Sequence, residues 1–285
     1  MTAVFLFVLG SAMAAASAAD LPGKALGVPP TPPPTYNWSG FYVGGNVGGA
    51  WGNRSVDYVL DAFSTSVFDN NTFDIPPQPS SFRTSGVIGG LQVGYNWQFH
   101  RNWLIGQESD FNWSGLKGSG SSAANIHLGQ SDIPFTATAD EHIKWFGTFR
   151  ARFGYLPTDN FLAYVTGGFA YGNVERTGTL TRNTGGTLNV GGGGIIFPSI
   201  SCTGGVPCYS GSSNEVAVGW TLGGGLEYAV WQRWTLKAEY LYVSLDSKSF
   251  TETSVPVPGS ASASLVANFS RTTFNVGRVG VNYRF

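Results

Sequence analysis

Beyond its first eighteen residues the chain has no uncharged apolar run of the ~18 residues that a membrane-crossing helix needs, which excludes a helical membrane protein. Charge is scarce: Asp, Glu, Lys and Arg make up 12% of the 285 residues, the net charge is −1, and the sequence pI is near 6.3. Nothing basic is clustered, so there is no electrostatic footprint for nucleic acid. Histidine is limited to His100, His127 and His142, far apart and without a Cys or carboxylate at ligand spacing, which opposes a metal site. The strings G-x-x-x-x-G-K-[ST], G-x-G-x-x-G, G-x-S-x-G, H-E-x-x-H and the EF-hand loop are absent, and with them the usual phosphate, nucleotide, hydrolase and metal chemistries. The three histidines are followed two residues later by Asn102, Gly129 and Lys144, so a His-x-Ser pair, which would point to a barrel enzyme acting on lipid, is missing too. No cofactor and no enzyme activity are expected.

What the chain does have is glycine and aromatic residues, with 40 Gly, 20 Phe, 12 Tyr and 9 Trp. Its last fifteen residues show how they are used. From Arg271 to Phe285, Asn275, Gly277, Val279, Val281, Tyr283 and Phe285 share one face while Arg278, Gly280, Asn282 and Arg284 share the other. Period-2 alternation is a strand, and a strand apolar on one face and charged on the other, closing on Phe, is how outer-membrane β-barrels end. Val281, Tyr283 and Phe285 are accordingly expected to form the signal read by the barrel-assembly machinery. A soluble β-sandwich could show the same alternation, but it would seldom end on its apolar face.

The first residues read as an address. Ala3 to Ala18 is apolar with a small-residue end, and Ala16-Ser17-Ala18 fits an A-x-A cleavage site, so residues 1–18 are expected to be a signal peptide, although the usual preceding Lys or Arg is missing. Residues 19–37 carry Pro29, Pro30, Pro32, Pro33 and Pro34; this stretch favours extended polyproline conformation and reads as a periplasmic tether. The barrel is then expected over 38–285. In an exported chain the close pair Cys202 and Cys208 most simply forms a disulfide that pins a loop.

Alternating segments fall at about 41–51, 84–99, 103–113, 143–155, 161–173, 216–230, 234–246 and 271–285. Eight is even, as a bacterial single-chain barrel requires. Short spacers (100–102, 156–160, 231–233) alternate with long ones (52–83, 114–142, 174–215, 247–270), the pattern of periplasmic turns and extracellular loops, with both termini in the periplasm. Whether 174–215 adds strands is left open. This topology gathers Phe41, Trp97, Phe99, Trp103, Tyr155, Phe161, Trp231, Trp234, Tyr283 and Phe285 at one rim and Trp51, Trp113, Trp145, Tyr171, Trp220 and Tyr242 at the other. Two aromatic girdles belong where headgroups meet hydrocarbon. Glycine runs such as Gly48-Gly49 and Gly167-Gly168 would relieve crowding in a tightly curved wall.

The face turned from lipid carries the charges. Glu108 and Asp110 of the third segment, Lys144, Arg150 and Arg152 of the fourth, Glu227, Lys237 and Glu239 of the sixth and seventh, and Arg278 of the eighth are expected to point into the lumen. Eight strands leave room only for side chains, so paired charges would make a plug. Two other uses are open to these charges. Glu108 and Asp110 share a face and could act as an acid/base pair, but basic residues on the next strand pair them off as ions. The same network could rearrange to admit water, giving a narrow gated pore.

Several strings together carry a family resemblance: Trp38-Ser39-Gly40-Phe41-Tyr42-Val43-Gly44-Gly45, Gly106-Gln107-Glu108-Ser109-Asp110-Phe111, Thr166-Gly167-Gly168-Phe169-Ala170-Tyr171-Gly172, Gly219-Trp220-Thr221 with Gly225-Leu226-Glu227-Tyr228, Lys237-Ala238-Glu239-Tyr240-Leu241-Tyr242 and Val281-Asn282-Tyr283-Arg284-Phe285. They resemble the small outer-membrane β-barrel surface proteins of alphaproteobacteria, often labelled porin family. The resemblance implies an all-β, eight-stranded antiparallel up-and-down transmembrane barrel, similar to the OmpA transmembrane domain, in the outer membrane of a Gram-negative bacterium. It also implies contact with lipid and lipopolysaccharide, a structural and surface-antigen role, and, as in some relatives, haemin or host binding by loops. It supplies no catalytic motif. Unlike OmpA, the chain shows no peptidoglycan-binding domain after Phe285, so tethering to the wall by such a domain is not expected. The oligomeric state stays open.

Overall fold

The strands continue well past the aromatic girdles, beyond the point where apolar and polar residues alternate. The computed structural model describes residues 36–60, 73–74, 80–128, 131–184, 187–190, 200–246, 249–254 and 264–285. The expected leader and all but the end of the proline-rich segment fall outside the described residues. The strands are β1 (Gly40–Leu60), β2 (Phe73–Asp74), β3 (Ser80–His100), β4 (Trp103–Leu128), β5 (Ser131–Thr158), β6 (Phe161–Arg182), β7 (Thr187–Val190), β8 (Ile200–Thr203), β9 (Pro207–Ala229), β10 (Trp234–Leu245), β11 (Ser249–Ser254), β12 (Ser264–Phe269) and β13 (Thr272–Arg284).

Eight of these close a ring. β1 pairs with β3, β3 with β4, β4 with β5, β5 with β6, β6 with β9, β9 with β10, β10 with β13 and β13 with β1, every pair antiparallel. β11 and β12 prolong the last hairpin, with β12 pairing on β1 and β11 on β9. Closure leaves the sheet without an edge, the condition for crossing a bilayer with strands.

The spacers read as long loops are largely strand. β4 and β5 stay paired up to Leu128 opposite Ser131, and β6 and β9 up to Thr181 opposite Pro207. The apolar outward residues stop at the girdle, which is where the sequence pattern fades. The backbone ladder continues because hydrogen bonding to a neighbouring strand does not depend on which side chains face out. Within 174–215, β7 and β8 form a separate two-stranded sheet rather than joining the ring.

Both girdles form. Trp103 packs on Tyr155 at 5.0 Å and Trp234 on Tyr283 at 5.0 Å at the short-turn end; Phe111 packs on Trp145 at 5.5 Å and Trp220 on Tyr242 at 5.6 Å at the other. Phe41 and Trp51 on β1, Trp103 and Trp113 on β4, and Tyr155 and Trp145 on β5 each stand ten residues apart. At ~3.3 Å per residue and a tilt of about 40°, that spacing rises about 25 Å, the height of an outer-membrane apolar band. Tight coiling presses neighbouring backbones together on the inside. A Cβ on Gly168 would stand 2.1 Å from the Phe149 carbonyl oxygen, and one on Gly48 2.2 Å from that of Gly277, so only glycine fits there.

Candidate functional site: a layered barrel interior

The inward positions sort by height into alternating apolar and ionic layers. At the short-turn end the chain enters through Gly40, whose φ of 132° is a conformation other residues rarely adopt. The turn folds Trp38 under the barrel, where it is 2% exposed and packs with Leu104, Leu156, Leu162, Tyr164 and Ala229. Its indole nitrogen donates to the Asp159 carbonyl at 2.9 Å, and Tyr36 packs against it while stacking under the Arg284 guanidinium at 4.3 Å. The residue the sequence reading used only as a family marker is the floor of the barrel.

Above the floor lies the first ionic layer. Glu108 on β4 accepts hydrogen bonds from Lys237 Nζ at 2.8 and 2.9 Å, Arg150 at 2.5 Å, Arg152 at 3.3 Å and the Tyr42 hydroxyl at 2.8 Å. Asp110 accepts from Arg150 at 2.7 Å, Arg278 at 2.8 Å and Thr148 at 2.8 Å. Glu239 accepts from Arg278 at 2.5 Å, Arg150 at 2.9 Å and Tyr164 at 2.9 Å. Glu227 accepts from Arg152 at 2.7 Å and Asn282 at 2.8 Å. The sum is zero: Glu108, Asp110, Glu227 and Glu239 stand against Arg150, Arg152, Lys237 and Arg278, all almost completely buried.

The next layer is apolar. Ile88, Leu116, Ile143, Phe146, Leu241, Val243, Phe274 and Val276 fill the bore, with Phe146 edge-on to Phe274 at 5.3 Å. Past it comes a second ionic layer that the sequence reading missed. Glu141 pairs with Arg54 and, at 3.2 Å, with Arg176; Arg176 also reaches Glu215 at 3.0 Å and Thr272 at 3.0 Å. The four charged residues lie in segments read as loops, yet Arg54 continues the inward parity of Tyr42, Asn46 and Ala50 on β1. Beyond them Val56, Phe82, Phe135, Leu180 and Phe269 are buried in turn.

One expected lumen charge is misplaced. Lys144 is exposed and pairs with Glu175 at 2.9 Å. The pairing of β5 with β6 slips between Ile143 and Trp145, so Lys144 sits in a bulge, and a bulge reverses which parity faces in. Glu141 and Ile143 are buried on one side of it, Phe146, Thr148, Arg150 and Arg152 on the other. Strict alternation from Arg150 back through the bulge therefore gives Lys144 the wrong face. Cys208 is buried and disulfide-bonded; the side chain of Cys202 lies outside the described residues. Val281 and Phe285 are exposed on the outer wall, and Tyr283 packs on Phe285 at 5.5 Å.

A closed ring with an apolar belt between two aromatic girdles and a polar, charge-paired bore defines a transmembrane β-barrel. The chain belongs to the outer-membrane β-barrel protein family: the family model described as outer membrane protein beta-barrel domain matches residues 3–285. It is 33% identical over 254 residues to a 31 kDa outer-membrane immunogenic protein of Brucella melitensis, covering 89% of this chain and 86% of that one. It is 25% identical over 217 residues to a 22 kDa outer membrane protein of Rhizobium leguminosarum, covering 76% of this chain and 69% of that one. Among solved structures, the outer membrane protein OprG of Pseudomonas aeruginosa matches with a TM-score of 0.42 at 11% identity, over 88% of this chain and 98% of that one. The protein is thus an outer-membrane barrel protein of a Gram-negative bacterium.

Proposed function

We propose that this is a non-enzymatic, non-conducting barrel whose work is to anchor a rigid display of hairpins at the cell surface. The layered bore carries this reading. Two ionic layers are separated by an apolar one, and Trp38 closes the floor; a path for ions would have to open every layer together. Each carboxylate of the first ionic layer is held by cations, which leaves no free acid or base for catalysis. On β4 and β5 the strands continue some fifteen residues beyond Trp113 and Trp145, a rise of about 40 Å by the same geometry. Both described chain ends lie at the short-turn end, so this orientation puts the long hairpins outside and the tether in the periplasm. The likeness to a Brucella protein named as immunogenic fits surface display. Planar-bilayer recording on refolded protein, with folding verified by the heat-dependent gel shift, tests it. Silence is expected, and discrete openings that disappear in the Arg150→Gln/Arg152→Gln variant would replace this reading with a channel.

A further inference from the structure

On the outer wall, the girdle at the long-hairpin end marks where hydrocarbon gives way to headgroups. Just past it, three adjacent strands turn cations outward. Arg83 on β3 stands opposite Asn53, two residues beyond Trp51. Lys117 on β4, four residues beyond Trp113, stands opposite Ser85 on one side and His142 on the other. Lys144 occupies the β5 bulge beside Trp145. By the rise and tilt used above, all three lie within about 10 Å of the girdle, inside the headgroup layer. Strands ~4.8 Å apart bring the long arms of Arg83 and Lys117 within reach of one ligand.

The neighbouring charges single out these two. Lys144 is already held by Glu175, with His142 3.9 Å from the same carboxylate, and exposed Asp140 lies a step higher on β5. Arg271 is taken by Asp246 at 3.8 Å. Among the described residues, Arg83 and Lys117 are the outward cations at this height with neither an acidic partner nor a hydrogen bond. The exposed hydroxyls of Ser85 and Ser119 flank them.

The geometry points to a binding site for the phosphate of a phosphorylated glycolipid of the outer leaflet, with Arg83 and Lys117 gripping the phosphate and Ser85 and Ser119 facing the sugar. Arginine offers a fork matched to phosphate oxygens, and lysine adds a mobile charge. The assignment rests on the outward orientation of the long hairpins. Folded protein in detergent is titrated with bisphosphorylated lipid A, with lipid A stripped of phosphate and with inorganic phosphate as competitor. Arg83→Gln/Lys117→Gln is compared with Arg101→Gln/Arg233→Gln, which removes the same charge from exposed turns at the other end. Binding is expected to weaken about tenfold or more in the first variant, to be unchanged in the second, and to fall as far when phosphate is absent from the lipid. Inorganic phosphate at millimolar levels should not displace the lipid. Equal losses in both variants would reduce the effect to net charge and overturn the site, as would undiminished binding of the stripped lipid or displacement by free phosphate. Orientation is read separately, by labelling Lys117→Cys in intact cells with a membrane-impermeant maleimide, so a reversed barrel and an absent site give different results.

Discussion

Replacing Glu108 with Gln tests whether the bore is a packed plug or a wetted channel, because the two predict different energies. Glu108 receives five hydrogen bonds from Lys237, Arg150, Arg152 and Tyr42. Its side chain is fully buried, as are those of Lys237 and Arg150. Glutamine removes the charge that balances the layer and turns an amide NH2 towards a site where Lys237, Arg150 and Arg152 can only donate. Removing one member of a buried pair costs ~3–5 kcal/mol, because the partner is left charged and uncompensated. Lys237 suffers most: its other carboxylate, Glu239, is 3.7 Å away. Adding Lys237→Met restores a neutral layer and fills the space with methylenes, so the double variant should recover at least ~2 kcal/mol of the loss. The assay is urea unfolding of the barrel in lipid vesicles, read by the gel shift and tryptophan emission, run as a full double-mutant cycle. In a water-filled lumen each charge would be solvated, the single variant would cost under ~1 kcal/mol, and the coupling would be that of an exposed pair. A small single-variant loss with no rescue would refute the plug.

Two further outcomes follow from the layers. Glu141→Gln leaves Arg54 without its carboxylate and takes from Arg176 one of its two, Glu215 remaining, and should destabilise by ~3 kcal/mol or more, whereas Lys144→Gln, three residues away but exposed in the bulge, should stay within ~0.5 kcal/mol; the same unfolding assay reads both. Trp38→Ala removes the floor and its hydrogen bond to Asp159 and should cost ~3–5 kcal/mol, yet leave the bilayer silent in conductance recording because the layers above remain closed.

The ring and the first ionic layer were legible because both follow from parity. Once Arg278 and Arg284 share a face opposite Val279 and Phe285, every strand at the level of the membrane can be phased from its aromatics. Legibility failed where parity is interrupted or loses contrast. Lys144 sits at a bulge, which a period-2 reading passes over without a mark. Arg54, Glu141 and Arg176 are inward, but the residues between them on the outer face, such as Asn53, Ser55 and Thr177, are polar as well. With both faces hydrophilic the alternation vanishes, and a paired strand in water looks like a loop. Trp38 was hidden for another reason: its role depends on the positive-φ turn at Gly40, which composition cannot show.

An apolar bore would hold a barrel of this width together at least as well, since buried ion pairs seldom outdo well-packed hydrocarbon in stability; what the ions add is register. Slipping one strand by a single residue would turn its whole inward set towards lipid. A two-residue slip is the dangerous error, because it keeps the faces right, and valines and leucines would accept it. Here it is not accepted. Glu239 lies directly across from Arg278, and Lys237 from Glu227; moving β10 by two residues sets Glu239 against Gly280 or Val276 and leaves Arg278 with Asp110 as its one carboxylate of the pair. On β4 the same shift takes Asp110 from Thr148 to the level of Phe146 or Arg150. A shift towards the apolar layer, which takes Glu239 to the level of Val276 or Asp110 to that of Phe146, buries a charge among hydrocarbon at several kcal/mol apiece, and the opposite shift of β10 sets Leu241 against Arg278. The shear that closes the ring is therefore written into the height at which each strand carries its ion.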